Sequence, residues 1–201
     1  ESLGALTASQ PTAGGLELQA GPARLRIQAL ADGIFRVWVH PDGRPFPAHP
    51  FSYAVQPECF AAAPPSVTLH RGEDHLVLAL GAWRVVVQRD PVRLHFEGRS
   101  GKPLTADSFG PGWEANRVAV WKRCTEGERF FGLGEKTGRL ERTGRAYENW
   151  NTDDSGYDTR DDPLYKTIPF YLALCPTADR RFEAYGIFFD NTFRSWFDFG
   201  G

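Results

Sequence analysis

The sequence predicts an all-β chain folded as a β-sandwich, and three observations predict it. Apolar and polar residues alternate with a period of two along several short runs. Gly and Pro, 21 and 15 of 201 residues, fall between those runs. Together they are well above the ~12% of an average chain. No stretch carries the 3.6-residue periodicity of an amphipathic helix over three turns. Period-two alternation places one face of a strand on a core and the other in water, and short strands at regular spacing suit a sandwich.

Taken in order, Ala23 to Leu30 alternates through Leu25 and Ile27, and Ile34 to His40 is rich in β-branched and aromatic residues. Ala31-Asp32-Gly33 separates these two runs as a turn. His75 to Leu80, Trp83 to Gln88 and Val92 to Phe96 alternate again. Gly81-Ala82 divides the first two of these, and Gly98-Arg99-Ser100-Gly101 follows the third. Ala61 to Pro65 reads as a loop within one domain, because strand patterns continue on both sides. A short apolar strand near Arg129 leads into a long polar segment, Gly134 to Pro163. Such length without regular pattern is usually functional or mobile. Leu164 to Leu174 and Ala184 to Asp190 read as strands, and Ser195 to Gly201 is aromatic and glycine-rich.

Composition excludes several classes. The net charge of −2 lacks the basic excess of a nucleic-acid binder or a polybasic membrane surface. No apolar run approaches the ~20 residues of a membrane helix. Cys59, Cys124 and Cys175 are too far apart for a zinc knuckle and odd in number, so all three are expected as small buried hydrophobes. The unpaired cysteines, and a start without a leader pattern, point to the cytoplasm. The chain has no Met, so it is expected to be processed, excised from something longer, or written without its methionines.

Gly132-Leu133-Gly134 invites a dinucleotide reading, but with Gly138 the spacing is GxGxxxG and no helix pattern follows, so a tight turn leaving a strand is the better reading. Asn151 to Asp162 (NTDDSGYDTRDD) partly fits an EF-hand calcium loop. Asp153, Ser155, Thr159 and Asp162 fall at ligand positions 3, 5, 9 and 12, and Gly156 falls at 6. Asn151 at position 1 and helix-breaking flanks weaken the fit. The same segment can be a sugar-contact loop, in which carboxylates accept hydroxyl protons and aromatic faces pack on pyranose rings. Tyr147, Trp150 and Tyr157 interleave there with Asp153, Asp154, Asp158, Asp161 and Asp162. On composition alone, a solvated acidic loop whose aromatics pack inward is the better reading. A glycosidase pair needs two carboxyl groups in different environments; acids clustered in one polar loop do not supply them, so no catalytic residue is assigned. His40, His49, His70, His75 and His95 show no ligand spacing, and each is expected as a surface or hydrogen-bonded histidine.

Phe130 to Asp153, Asp162 to Leu174 (DPLYKTIPFYLAL) and Tyr185 to Gly200 (YGIFFDNTFRSWFDFG) resemble the N-terminal region of glycoside hydrolase family 31, the α-glucosidase family. Residues 1 to 129 agree with it in strand pattern and order. The resemblance implies a galactose-mutarotase-like β-sandwich ahead of a catalytic (β/α)8 barrel. It also implies retaining hydrolysis of α-linked glucose or related α-glycosides by two barrel aspartates. The nucleophile segment resembling W-x-D-M-N-E does not occur in these 201 residues. By this comparison residues 1–201 are one sandwich domain ending short of the family's own boundary, with the barrel absent, and the chain alone is expected to be inactive. The loop of that sandwich that shapes the sugar subsites matches Trp150 to Pro163. On this basis Asp153 is the first candidate for sugar hydroxyls, Trp150 packs beside it, and Asp154, Tyr157 and Arg160 follow. The implied partners are the barrel of the same polypeptide and α-linked sugars; no cofactor or metal is expected. A free-standing carbohydrate-binding sandwich and a calcium-stabilised structural module are the alternatives.

Overall fold

The computed structural model describes residues 1–48, 51–56 and 63–200; among them all regular structure is strand, and no helix is present to cross a membrane. The strands group into two compact units, Glu1–Phe51 with Gln56–Arg123 and Ser52–Val55 with Cys124–Gly201.

In the first unit, β1 (Ala8–Thr12), β2 (Gly15–Ala20), β3 (Ala23–Ala31) and β4 (Ile34–His40) form a four-stranded antiparallel meander. A second sheet holds β5 (Thr68–Arg71), β6 (His75–Leu80), β7 (Trp83–Arg89), β8 (Val92–Glu97), β9 (Pro103–Glu114) and β10 (Arg117–Lys122), in the order β10-β9-β8-β7-β6-β5. Leu16, Leu18, Leu25 and Ile27 of the meander pack on Leu76, Leu78, Val85, Val87, Val92 and Leu94 of the larger sheet, all buried. The alternation therefore closes a two-layer sandwich. Each such aliphatic side chain contributes about 1.5–3 kcal/mol of burial. Inside the larger sheet, the buried Asp107 accepts from the Leu94 amide at 2.8 Å and from Lys122 Nζ at 2.6 Å. That satisfies a charge which would otherwise be costly to enclose.

In the second unit, β11 (Arg129–Gly134), β13 (Thr167–Pro176) and β14 (Phe182–Phe188) form a sheet in the order β11-β13-β14, and β12 (Ala146–Asn149) pairs with β15 (Ser195–Asp198). The core here is aromatic: Phe130, Leu133, Tyr147, Tyr171, Ala173, Phe197 and Phe199. Phe130 stacks on Phe199 with centroids 4.6 Å apart, and Tyr171 meets Phe199 edge-on at 5.3 Å. Aromatic pairs in these geometries add about 0.5–1.5 kcal/mol each beyond area burial.

Three expectations need correction. Gly132-Leu133-Gly134 is not a turn leaving a strand but a bulge inside β11, with the register to β13 shifting between Gly132 and Gly134. The polar stretch from Gly134 to Pro163 is interrupted by β12, whose Tyr147 and Asn149 are buried. Of the three cysteines, Cys175 is buried but Cys124 is exposed, because it lies in the solvated connection between β10 and β11. Cys59, His49, Ala61, Ala62 and Gly201 lie outside the described residues. His40 is buried against Phe46, with Nδ1 3.0 Å from the Arg44 carbonyl, and His95 pairs with Glu97; His70 and His75 are exposed.

Candidate functional site: the loop between β12 and β13

The loop is built from its base upward. Gly132, Leu133 and Gly134 all have positive φ, at 119°, 68° and 82°. A Cβ on Gly134 would lie 2.6 Å from the Lys166 carbonyl oxygen and one on Gly132 would lie 2.6 Å from that of Phe170. Only glycine allows so close a backbone approach at these angles. The bulge brings the Glu135 amide to the Lys166 carbonyl at 2.8 Å and turns Lys136 inward.

Lys136 has a side chain that is 0% exposed. Its ammonium donates to Asp162 Oδ1 at 2.7 Å and to the Glu148 carbonyl, while Asp162 Oδ2 accepts from the Glu148 amide at 2.5 Å. One carboxylate thus ties β12, the end of the loop and the β11 bulge together. Beside it, Thr137 Oγ1 donates to the Asp161 carbonyl at 2.9 Å. At the loop's other foot the Thr152 amide donates to the Leu164 carbonyl at 2.9 Å. Asn151 Oδ1 accepts from the amide and hydroxyl of Thr167 at 2.9 and 2.8 Å.

Above this closed base, the five residues singled out from the sequence are distributed unevenly. Asp153 is exposed and has no hydrogen-bond partner among the described residues. Asp154 is used locally: Oδ1 accepts from the Gly156 amide at 3.2 Å and its carbonyl accepts from the Tyr165 hydroxyl. Tyr157 meets Tyr165 edge-on at 6.1 Å. Arg160 is held by Asp158, Nη2 donating to Oδ2 at 2.7 Å. That bond lowers the Asp158 carboxyl below its ordinary range and raises Arg160 in turn. Trp150 is 47% exposed, and the contact it makes is with the guanidinium of Arg194, 5.6 Å from its ring centroid.

The electrostatics favour a neutral phenol next to the carboxylates of Asp153 and Asp154. Loss of solvent first, and then the charges of Asp153 and Asp154, raise the Tyr165 hydroxyl above its usual value. It stays a donor at neutral pH. Chemically, the loop offers an unpaired carboxylate and two half-exposed aromatic rings on a fixed frame. Such a set is able to accept hydroxyl protons and to pack against a ring. Two positions of the calcium reading are otherwise engaged, Asn151 by Thr167 and Asp162 by Lys136, and the loop is flanked by strands. Lys136 and Tyr165 were not singled out from the sequence. The one signal for Lys136 was its place directly after the GLGE glycines.

Residues 24–198 match the pattern of a protein family described as the glycosyl hydrolase 31 N-terminal galactose mutarotase-like domain. Alpha-glucosidase 2 of Bacillus thermoamyloliquefaciens is 30% identical over 178 residues, which cover 87% of this chain and 21% of that protein. The alpha-xylosidase XylQ of Lactiplantibacillus pentosus is 32% identical over 68% of this chain and 17% of its own length. Among solved structures, a GH31 dextranase of Flavobacterium johnsoniae complexed with isomaltotriose superposes over 100% of this chain and 24% of its own. Its TM-score is 0.86 and its identity 30%. The chain spans about a sixth to a quarter of the length of these proteins.

Proposed function

Since the chain belongs to the family of glycosyl hydrolase 31 N-terminal galactose mutarotase-like domains, we propose that it is the sugar-contacting domain of an α-glucosidase-like glycoside hydrolase. Bond cleavage belongs to a (β/α)8 barrel of the same polypeptide. That barrel supplies a carboxylate nucleophile and a carboxylic acid, and passes through a covalent glycosyl-enzyme to a retained product. Residues 150–163 supply contacts to the sugar on the leaving-group side. Asp153 accepts one or two hydroxyl protons there, and Trp150, with Tyr157 beside it, packs against the ring.

The observation that carries this reading is Asp153 itself: an exposed carboxylate without a partner, on a loop whose base is closed by a wholly enclosed lysine. A carboxylate needed only for solubility does not require a frame so firmly fixed beneath it. Hydrogen bonds to charged groups contribute about 1.5–3 kcal/mol. In the intact polypeptide, Asp153→Asn is therefore expected to lower kcat/KM for an α-linked oligoglucoside by about 10- to 100-fold, while leaving the thermal midpoint in place. Unchanged kinetics would remove the loop from the substrate site. The 201-residue chain alone is expected to show no hydrolysis of p-nitrophenyl α-glucoside, and turnover by it would overturn the assignment of chemistry to the barrel.

A further inference from the structure

The outward face of the β12–β15 ribbon carries a second aromatic surface next to the loop. Glu148 and Trp196 are directly opposed in the ladder, so their side chains leave the same side, while the opposed pair Tyr147 and Phe197 fills the core. Just beyond this end of the ribbon lie Trp150, two residues after Glu148, and Arg194, two residues before Trp196. The guanidinium of Arg194 lies 5.6 Å from the centroid of Trp150 and 5.8 Å from that of Trp196, and its Nε is bound by the Glu148 carboxylate. Glu148 is in turn fixed through its amide and carbonyl by Asp162 and Lys136. The result is two indoles joined by one planar cation, all resting on the buried lysine. Trp196 is 66% exposed and the neighbouring Phe193 82%.

Exposed indoles this close together are unusual on a surface unless something covers them. The chemistry of this surface is specific. Indole faces pack on the C–H faces of pyranoses, and a guanidinium and a carboxylate at their edges bond hydroxyls. The Arg194 guanidinium lies over both rings, and a cation over an indole contributes about 0.5–1 kcal/mol at an exposed site. Trp196 has no role in the loop already described, and its ladder position holds it on regular structure, where contact geometry is better fixed than on a loop.

We propose that Trp196 and Arg194 form a second sugar platform beside Trp150, which holds the next glucose unit of an α-glucan while Asp153 and Trp150 hold the nearer one. This rests on the reading of residues 150–163 as a sugar-contact loop. It predicts that a trisaccharide gains from Trp196 and a single glucose does not.

In the intact polypeptide, kcat/KM is measured for p-nitrophenyl α-glucoside, maltotriose and isomaltotriose. The expected result is a trisaccharide kcat/KM that falls at least fivefold in Trp196→Ala, is largely recovered in Trp196→Phe, and falls about 10- to 100-fold in Asp153→Asn. The value for p-nitrophenyl α-glucoside should be unchanged by either Trp196 substitution. Circular dichroism melts of the variants guard against unfolding, which the exposure of Trp196 makes a small risk. If Asp153→Asn lowers the trisaccharide value and Trp196→Ala leaves it untouched, the second platform is overturned and the loop reading stands. If neither substitution changes it, both are overturned.

Discussion

Replacing Lys136 by Met tests the frame beneath the loop. The ammonium is fully enclosed, and its partner Asp162 keeps only 15% of its side chain in water. Methionine fills most of the same volume but removes the charge. The Asp162 carboxylate then remains bound to the Glu148 amide with no counter-ion, in a setting where leaving one member of a buried pair alone costs about 3–5 kcal/mol. Asp162→Asn leaves the opposite charge unpaired, although the amide oxygen still accepts from Glu148, so a somewhat smaller loss is expected. The double variant Lys136→Met with Asp162→Asn removes both charges and is expected to recover most of the loss, with a coupling of about 1–3 kcal/mol. Urea unfolding followed by tryptophan fluorescence measures all three. For a chain of this size the single variant should lower the thermal midpoint by roughly 6–20 °C, at about 2–4 °C per kcal/mol. Single variants within 1 kcal/mol of the parent, or effects that simply add, would refute the assignment of the pair as the clasp of the loop.

Other outcomes follow from individual geometries. Asp153→Asn removes a negative charge that helps raise the Tyr165 hydroxyl, so the phenol should titrate at lower pH, read from its ultraviolet ionisation spectrum; an unmoved midpoint would separate the two side chains. A phenol raised in the folded state stabilises fully below its unfolded value near pH 10 and loses that contribution as pH rises through the folded value. Burial first, then Glu128, pushes the Cys175 thiol up to about 12. Mass-spectrometric mapping of alkylation at pH 8 should therefore find Cys124 modified in the native chain and Cys175 only after unfolding. Gly134→Ala forces a Cβ to 2.6 Å from the Lys166 carbonyl at φ 82° and should cost about 1–3 kcal/mol in denaturant titration, whereas Gly144→Ala, with open space around it, should cost less.

The strands legible in the sequence carry one of two signals. His75 to Leu80 coincides with β6, and Trp83, Val85 and Val87 begin a strand that runs one residue past its expected end, to Arg89; there the alternation is imposed by a single core, and it survives as a pattern. Ile34 to His40 coincides with β4 through its β-branched and aromatic residues, of which Phe35 and Val39 are partly buried against that core. The strands that were not legible fail for identifiable reasons. β9 is the longest, yet Pro103, Gly110, Pro111 and Gly112 punctuate it, and its partner β10 pairs through two register shifts. β12 is only four residues long and is held as a strand by its pairing with β15, some fifty residues away. The site residues divide in the same way. Asp153 and Trp150 stand out because a carboxylate and an indole in a polar loop have a chemistry of their own. Lys136 looks like any surface lysine; only the bulge ahead of it, and an aspartate far along the chain, turn it inward. The Arg194 stack is likewise a product of strand register, which alternation alone does not fix.

The closed base of the loop between β12 and β13 also bears on how such a domain can change over generations. Thr152 with Leu164, Asn151 with Thr167 and Lys136 with Asp162 fasten both feet, so the residues between Asp153 and Asp161 span a gap whose ends are already held together. Lengthening a span of that kind costs only about 0.6 kcal/mol for each doubling, and none of the core side chains needs to move. Substitution or insertion at the tip is therefore tolerated while stability is carried elsewhere. On the sugar-contact reading proposed above, a lineage built on this frame could explore new sugars one loop at a time, with the frame inherited intact.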